Sequence, residues 1–122
     1  MKSSSNDRPA IILPLGNGSY HYNYNIVEEK VEDPEAGKRT VYKYDTVQIW
    51  QKPNHELLTR AVIREEIDET KEFSYVNDYN AAVLGILTDE AAEVAKASYK
   101  EYLNFIVDVK EKVKNDLAEA KY

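Results

Sequence analysis

His21 and His55, and the arginine pair Arg60 and Arg64, are the side chains in this sequence with the most chemical potential. A zinc or iron centre needs three or four converging ligands. His55 has Glu56 beside it but no second histidine at i+4, and His21 sits in a tyrosine-rich run, so neither predicts a metal site. Nucleophilic catalysis needs a Ser, Thr or Lys beside a base that a third group orients. Thr59, Ser74 and Ser98 fall in helical segments with no glycine-rich elbow nearby. The neighbours Glu28-Glu29 and Glu65-Glu66 point in different directions in a strand or a helix. Gly16-Asn17-Gly18 lacks both the lysine and the following helix of a phosphate loop. No cysteine is present, which removes disulfides, thiol catalysis and thiolate metal sites together. The expectation is no enzyme and no cofactor.

Arg60 and Arg64 lie four apart and so share a helix face. Glu56 and Asp68 are their expected intrahelical partners, and a carboxylate on another protein is the alternative. The aromatic residues offer more. Period-two alternation places Tyr20, Tyr22, Tyr24 and Ile26 on one face of a strand, and Tyr42, Tyr44 and Trp50 on one face of its return strand. Val41, Val47 and Ile49 then occupy the opposite face. Tyrosine combines a large rigid surface with a polar tip, which suits interfaces. Tyr20, Tyr22, Tyr24, Tyr42, Tyr44 and Trp50 are therefore the expected protein interface. A face covered by the chain's own helices is the structural alternative, and stacking on sugars or nucleotides is a third.

The elements that must position these residues follow from turn and cap signals. Residues 1–8 are polar and read as a flexible tail, without the apolar core of a signal peptide. Residues 9–52 read as a β-hairpin or meander. Pro14 confines the first short segment to an edge, Gly16–Ser19 turns the chain, and Glu32–Lys38 joins a strand beginning at Tyr20 to a return strand over Thr40–Gln51. Residues 53–122 read as helical. Asn54 caps the first helix, a break falls near Asp68-Glu69-Thr70, and Gly85 ends the second helix with Ile86 as its apolar contact. Thr88 opens a long third helix with a heptad-like stripe through Tyr102, Ile106, Val109 and Val113. The fold class is α+β, an antiparallel hairpin or meander followed by three helices. The expected helical core is Leu57, Leu58, Val62, Phe73, Val76, Val83, Ile106 and Val109. The third helix serves either one compact domain or a homo-oligomer.

The 122 residues suffice for one domain. The net charge of −6 resides in the helical half, with nine basic against fifteen acidic residues from Pro53 onward. Such a body repels phosphate, which argues against nucleic acid as a partner. The longest apolar runs, Ile11–Leu15 and Ala81–Leu87, are far shorter than the ~20 residues of a membrane span.

The stretch Val47-Gln48-Ile49-Trp50-Gln51-Lys52-Pro53, then Leu58, Ala61-Val62-Ile63-Arg64 and Glu72-Phe73, resembles small virion- and tail-associated proteins of tailed bacteriophages and prophages of gut bacteria. In that pattern a strand ends at a proline, a helix reads Leu-x-x-Ala-x-Ile-Arg, and an acidic helical tail follows. The likeness covers about residues 42–122 and departs from the pattern at Ile67-Asp68-Glu69-Thr70. It implies a structural, adaptor or assembly role in a head or tail, with other phage proteins as partners and no catalytic residues. The polar start predicts synthesis in the host cytoplasm, and the resemblance implies a place either in the virion or in its assembly. An acidic regulatory or inhibitory protein, bound to a basic site on a host or phage protein, is the alternative.

Overall fold

The computed structural model describes residues 2–35 and 37–122; Met1 and Ala36, which the tail and loop expectations include, lie outside them. The expected α+β architecture is present. Four strands, β1 (Lys2–Ser5), β2 (Ile12–Pro14), β3 (Tyr20–Asp33) and β4 (Gly37–Ile49), precede α1 (His55–Glu66), α2 (Glu69–Val83) and α3 (Asp89–Ala120). The sheet is antiparallel in the order β1-β4-β3-β2. Lys2–Ser5, read from sequence as a tail, adds an edge strand along Tyr42–Asp45. Its three serines offer backbone pairing without any apolar pattern, which is why periodicity missed it.

Register decides which face is buried. Tyr20, Tyr22 and Tyr24 sit directly opposite Ile49, Val47 and Asp45. Residues opposite each other in an antiparallel pair share a face. The tyrosines of β3 therefore point the same way as Val47 and Ile49, which corrects the expected segregation of aromatic from aliphatic residues. That shared face packs on α1 and the second half of α3. Its core is Ile12, Tyr22, Tyr24, Val47, Ile49, Leu58, Val62, Ile63, Val109 and Val113. The opposite face is partly covered by residues 6–11, which cross from β1 to β2. There Asn23 Nδ2 donates to the Ala10 carbonyl at 2.8 Å, and Thr46 Oγ1 donates to Asn23 Oδ1 at 2.7 Å.

Beyond a register shift between Tyr24 and Val27, where Asn25 takes a φ of 52°, the sheet narrows. β2 reaches only Tyr22 and β1 only Tyr42, so 29–33 and 37–41 continue as a two-stranded ribbon.

The helices form where caps begin them. Asn54 accepts the Leu57 N–H at 2.8 Å, and Asp68 accepts the Lys71 N–H at 2.8 Å. Gly85, at a φ of 78°, closes α2: its N–H reaches the Ala82 carbonyl and the Ile86 N–H reaches Ala81, two bonds that satisfy the helix's last carbonyls. α1 runs antiparallel to the second half of α3, with His55 Nε2 3.0 Å from the Lys110 carbonyl. α2 packs along the first half of α3, away from the sheet. At 32 residues α3 is about 48 Å long, so it carries the sheet at one end and α2 at the other.

Candidate functional site

The expected interface divides between two faces of the sheet. Tyr22 and Tyr24 are 0% and 2% exposed, with ring centroids 5.1 Å apart, and no partner could reach them. Tyr22 Oη donates to the Asp116 carboxylate of α3, pinning strand to helix across the core. Tyr24 Oη is buried with no hydrogen-bond partner. Burial pushes both phenols well above their ordinary value; Asp116 adds to the effect on Tyr22, and Asp45, Glu66 and Glu65 add to it on Tyr24. Tyr20 packs partly buried at the rim of the same core. Tyr42 and Tyr44 are half-buried and belong to the other face, and Trp50, just past β4, is 66% exposed. No continuous aromatic ladder is offered to a partner.

The exposed apolar surface lies elsewhere. Tyr75 stacks on Tyr102 at 5.4 Å and Tyr79 on Tyr99 at 4.3 Å, with Tyr99 and Tyr102 6.1 Å apart. Ala82, Ala92 and Ala95 close the contact towards the free end. Rings and small residues thus face inward between α2 and α3, and the aliphatic residues are left facing out. Phe73, Val83, Leu84, Ile86, Val94, Leu103 and Val107 are seven of the twelve large hydrophobic residues exposed among the described residues. This corrects the expected core, in which Phe73 and Val83 were to be buried. It also removes Ile86 from its expected capping contact, since that side chain is 74% exposed. Helical spacing explains the outcome: Tyr75, Tyr79 and Ala82 form α2's inner stripe, and Phe73 falls well outside it.

α2 and the facing half of α3 thus make a helical arm whose end, Val83-Leu84-Gly85-Ile86, is mostly apolar. On one flank an open groove of about 720 Å³ is lined by Ser74, Asp78, Glu90, Ala91, Val94 and Ser98, among others. A polar cluster fixes the arm's base. Arg64 reaches Glu72 at 3.4 Å, and Glu72 accepts the Tyr102 hydroxyl, whose pKa is pushed up to about 12 by burial and then by that bond.

The residues considered for catalysis do not converge. His21 lies on the face of the sheet away from the helices, lining a cleft with Arg8, Asp7 and Tyr44, whereas His55 begins α1. Arg60 pairs with Glu56 at 2.9 Å as expected, while Arg64 takes Glu72 in place of the expected Asp68. Ser74 and Ser98 line the open groove, and Thr59 Oγ1 is buried without a partner. Compared with known family profiles, with characterised proteins and with solved structures, the chain matches none. No helix among the described residues is long and apolar enough to cross a membrane.

Sequence reasoning passed over the arm because it assigned Phe73, Val76 and Val83 to the core and Ile86 to a capping contact. One signal pointed to it: Val83-Leu84-Gly85-Ile86-Leu87 surrounds a helix-ending glycine, so its side chains sit on a turn at the surface.

Proposed function

We propose that this chain is a non-enzymatic binding protein that docks on another protein through the α2–α3 arm. A structural or assembly role in a phage particle, as its strand-to-helix junction resembles, is the setting in which such docking operates. One observation carries the reading: large aliphatic and aromatic residues are exposed along an arm that stands clear of the sheet. Val83, Leu84 and Ile86 group at the arm's end, and grouped apolar exposure marks interaction surfaces, whereas scattered single residues do not. The arm's rings supply rigidity, so docking loses little side-chain entropy at its base.

The acidic alternative has support in the same segment, since residues 69–107 hold seven acidic and three basic side chains, a net of −4. The two readings part on salt. Apolar docking holds as ionic strength rises, and docking on a basic site weakens steeply. The experiment is co-purification of the tagged chain with the proteins made alongside it, for wild type, Leu84→Glu with Ile86→Glu, and Tyr44→Ala with Trp50→Ala. Loss of capture in the arm variant alone, with unchanged circular dichroism, supports the arm. Capture that survives the arm variant and fails in the Tyr44/Trp50 variant returns the site to the sheet.

A further inference from the structure

The turn between β2 and β3 places Asn17 before Gly18, both exposed to solvent. The Leu15 N–H donates to the Ser19 carbonyl at 3.1 Å and closes the turn. Gly18 takes a φ of 85°, and a side-chain carbon there would meet nothing within 4 Å, so no neighbouring residue crowds the exposed turn at the residue that follows Asn17. Asn17 Oδ1 accepts two hydrogen bonds from Ser19, one from its backbone N–H at 3.1 Å and one from its hydroxyl. Ser19 is 1% exposed, and Gln48 Nε2 donates to its hydroxyl oxygen at 3.1 Å. That third bond occupies a lone pair of the hydroxyl and leaves its proton directed at Asn17.

We propose that this turn is a self-modification site, at which Asn17 deamidates through a cyclic imide and the two Ser19 donors stabilise the charge that develops on Oδ1. The Gly18 nitrogen gives its proton to solvent base and attacks Asn17 Cγ. The Cγ–Oδ1 double bond opens, and negative charge collects on the oxygen at which both donors already point. When the carbonyl re-forms, the Cγ–Nδ2 bond breaks and the nitrogen leaves as ammonia after taking a proton from water. The five-membered imide then adds water at one of its two carbonyls and opens to aspartate or to isoaspartate. Water is the only co-reactant. The eight other asparagines are each followed by a residue with a side chain, and none precedes a glycine.

The test follows the native protein at mildly alkaline pH by peptide mass mapping, reading the conversion of amide to acid at each asparagine. Asn17 converts first, giving both products, and does so faster in the native protein than in the urea-unfolded chain. Ser19→Ala slows the native reaction by about ten-fold, the worth of one hydrogen bond, and leaves the unfolded-chain rate unchanged. Gln48→Ala, a change at an exposed position, slows the native reaction in the same direction. Native conversion no faster than in urea overturns the proposal, as does a native rate indifferent to Ser19→Ala.

Discussion

Replacing Tyr22 by phenylalanine removes a single oxygen from the centre of the core. The ring stays in its space between Tyr24 and the helices, so no cavity opens, and the change isolates the bond to Asp116. Hydrogen bonds to charged groups contribute about 1.5–3 kcal/mol. Asp116 is only half-buried, so water can reach its carboxylate once the phenol is gone, which places the loss near the lower end, about 1.5–2 kcal/mol. For a domain of this size that corresponds to a fall in Tm of roughly 5–8 °C. Urea and thermal unfolding followed by circular dichroism measure both quantities.

A double-mutant cycle supplies the decisive number. Tyr22→Phe and Asp116→Asn act on one contact, so their effects must fall short of additivity by about 1 kcal/mol or more. If the double variant loses the sum of the two single losses, strand and helix are not coupled through this bond. A Tyr22→Phe loss below about 0.5 kcal/mol refutes the coupling equally.

Titration tests the same burial. The phenols of Tyr22 and Tyr24 both stand above their unfolded value of 10.0, so the stability they contribute is complete below about pH 10 and is lost as pH climbs above it. Each contributes a loss of about 1.4 kcal/mol per pH unit over that window, and phenolate absorbance should show two rings ionising only as the fold melts. In the arm, Tyr99→Ala removes the ring that stacks on Tyr79 and lies beside Tyr102; amides of residues 69–83 should then exchange hydrogen much faster, while those of Tyr20–Tyr24 keep their protection. Asn23→Ala removes one bond made by Thr46 and the one accepted by the Ala10 carbonyl and should cost about 1–3 kcal/mol, read as a lower urea midpoint with an unchanged slope.

The order of elements was legible because caps and breakers are local. Asn54 and Gly85 act on backbone groups within a few residues of themselves, so their roles can be read along the chain, whereas Asp68, read as part of a break, proves to be the cap of α2. The faces of the hairpin were not legible. Which residues of β4 lie opposite Tyr22 depends on the turn and on the shift after Tyr24, and a change of one residue moves every side chain to the other side. Alternation alone could therefore place Tyr20, Tyr22 and Tyr24 together, but it could not say that Val47 and Ile49 join them. β1 carried no periodic signal, because its serines hold their place through backbone bonds to β4.

The exposed apolar arm was hidden by a rule that usually works, that aliphatic side chains go inside. Here tyrosines fill the positions that aliphatic residues would ordinarily take, in the sheet at Tyr22 and Tyr24 and in the arm at Tyr75, Tyr79, Tyr99 and Tyr102. A tyrosine can be buried at low cost when its hydroxyl finds a bond, as Tyr22 does on Asp116 and Tyr102 on Glu72. Each ring fills more space than a leucine, so a few rings close a contact that would otherwise need several aliphatic residues. Phe73, Leu84, Ile86 and Val107 are consequently not needed for α2 to pack on α3, and their substitution by polar residues should leave the fold intact. Residues dispensable to the fold and costly to expose to water are the ones through which the proposed docking and folding can be separated by mutation.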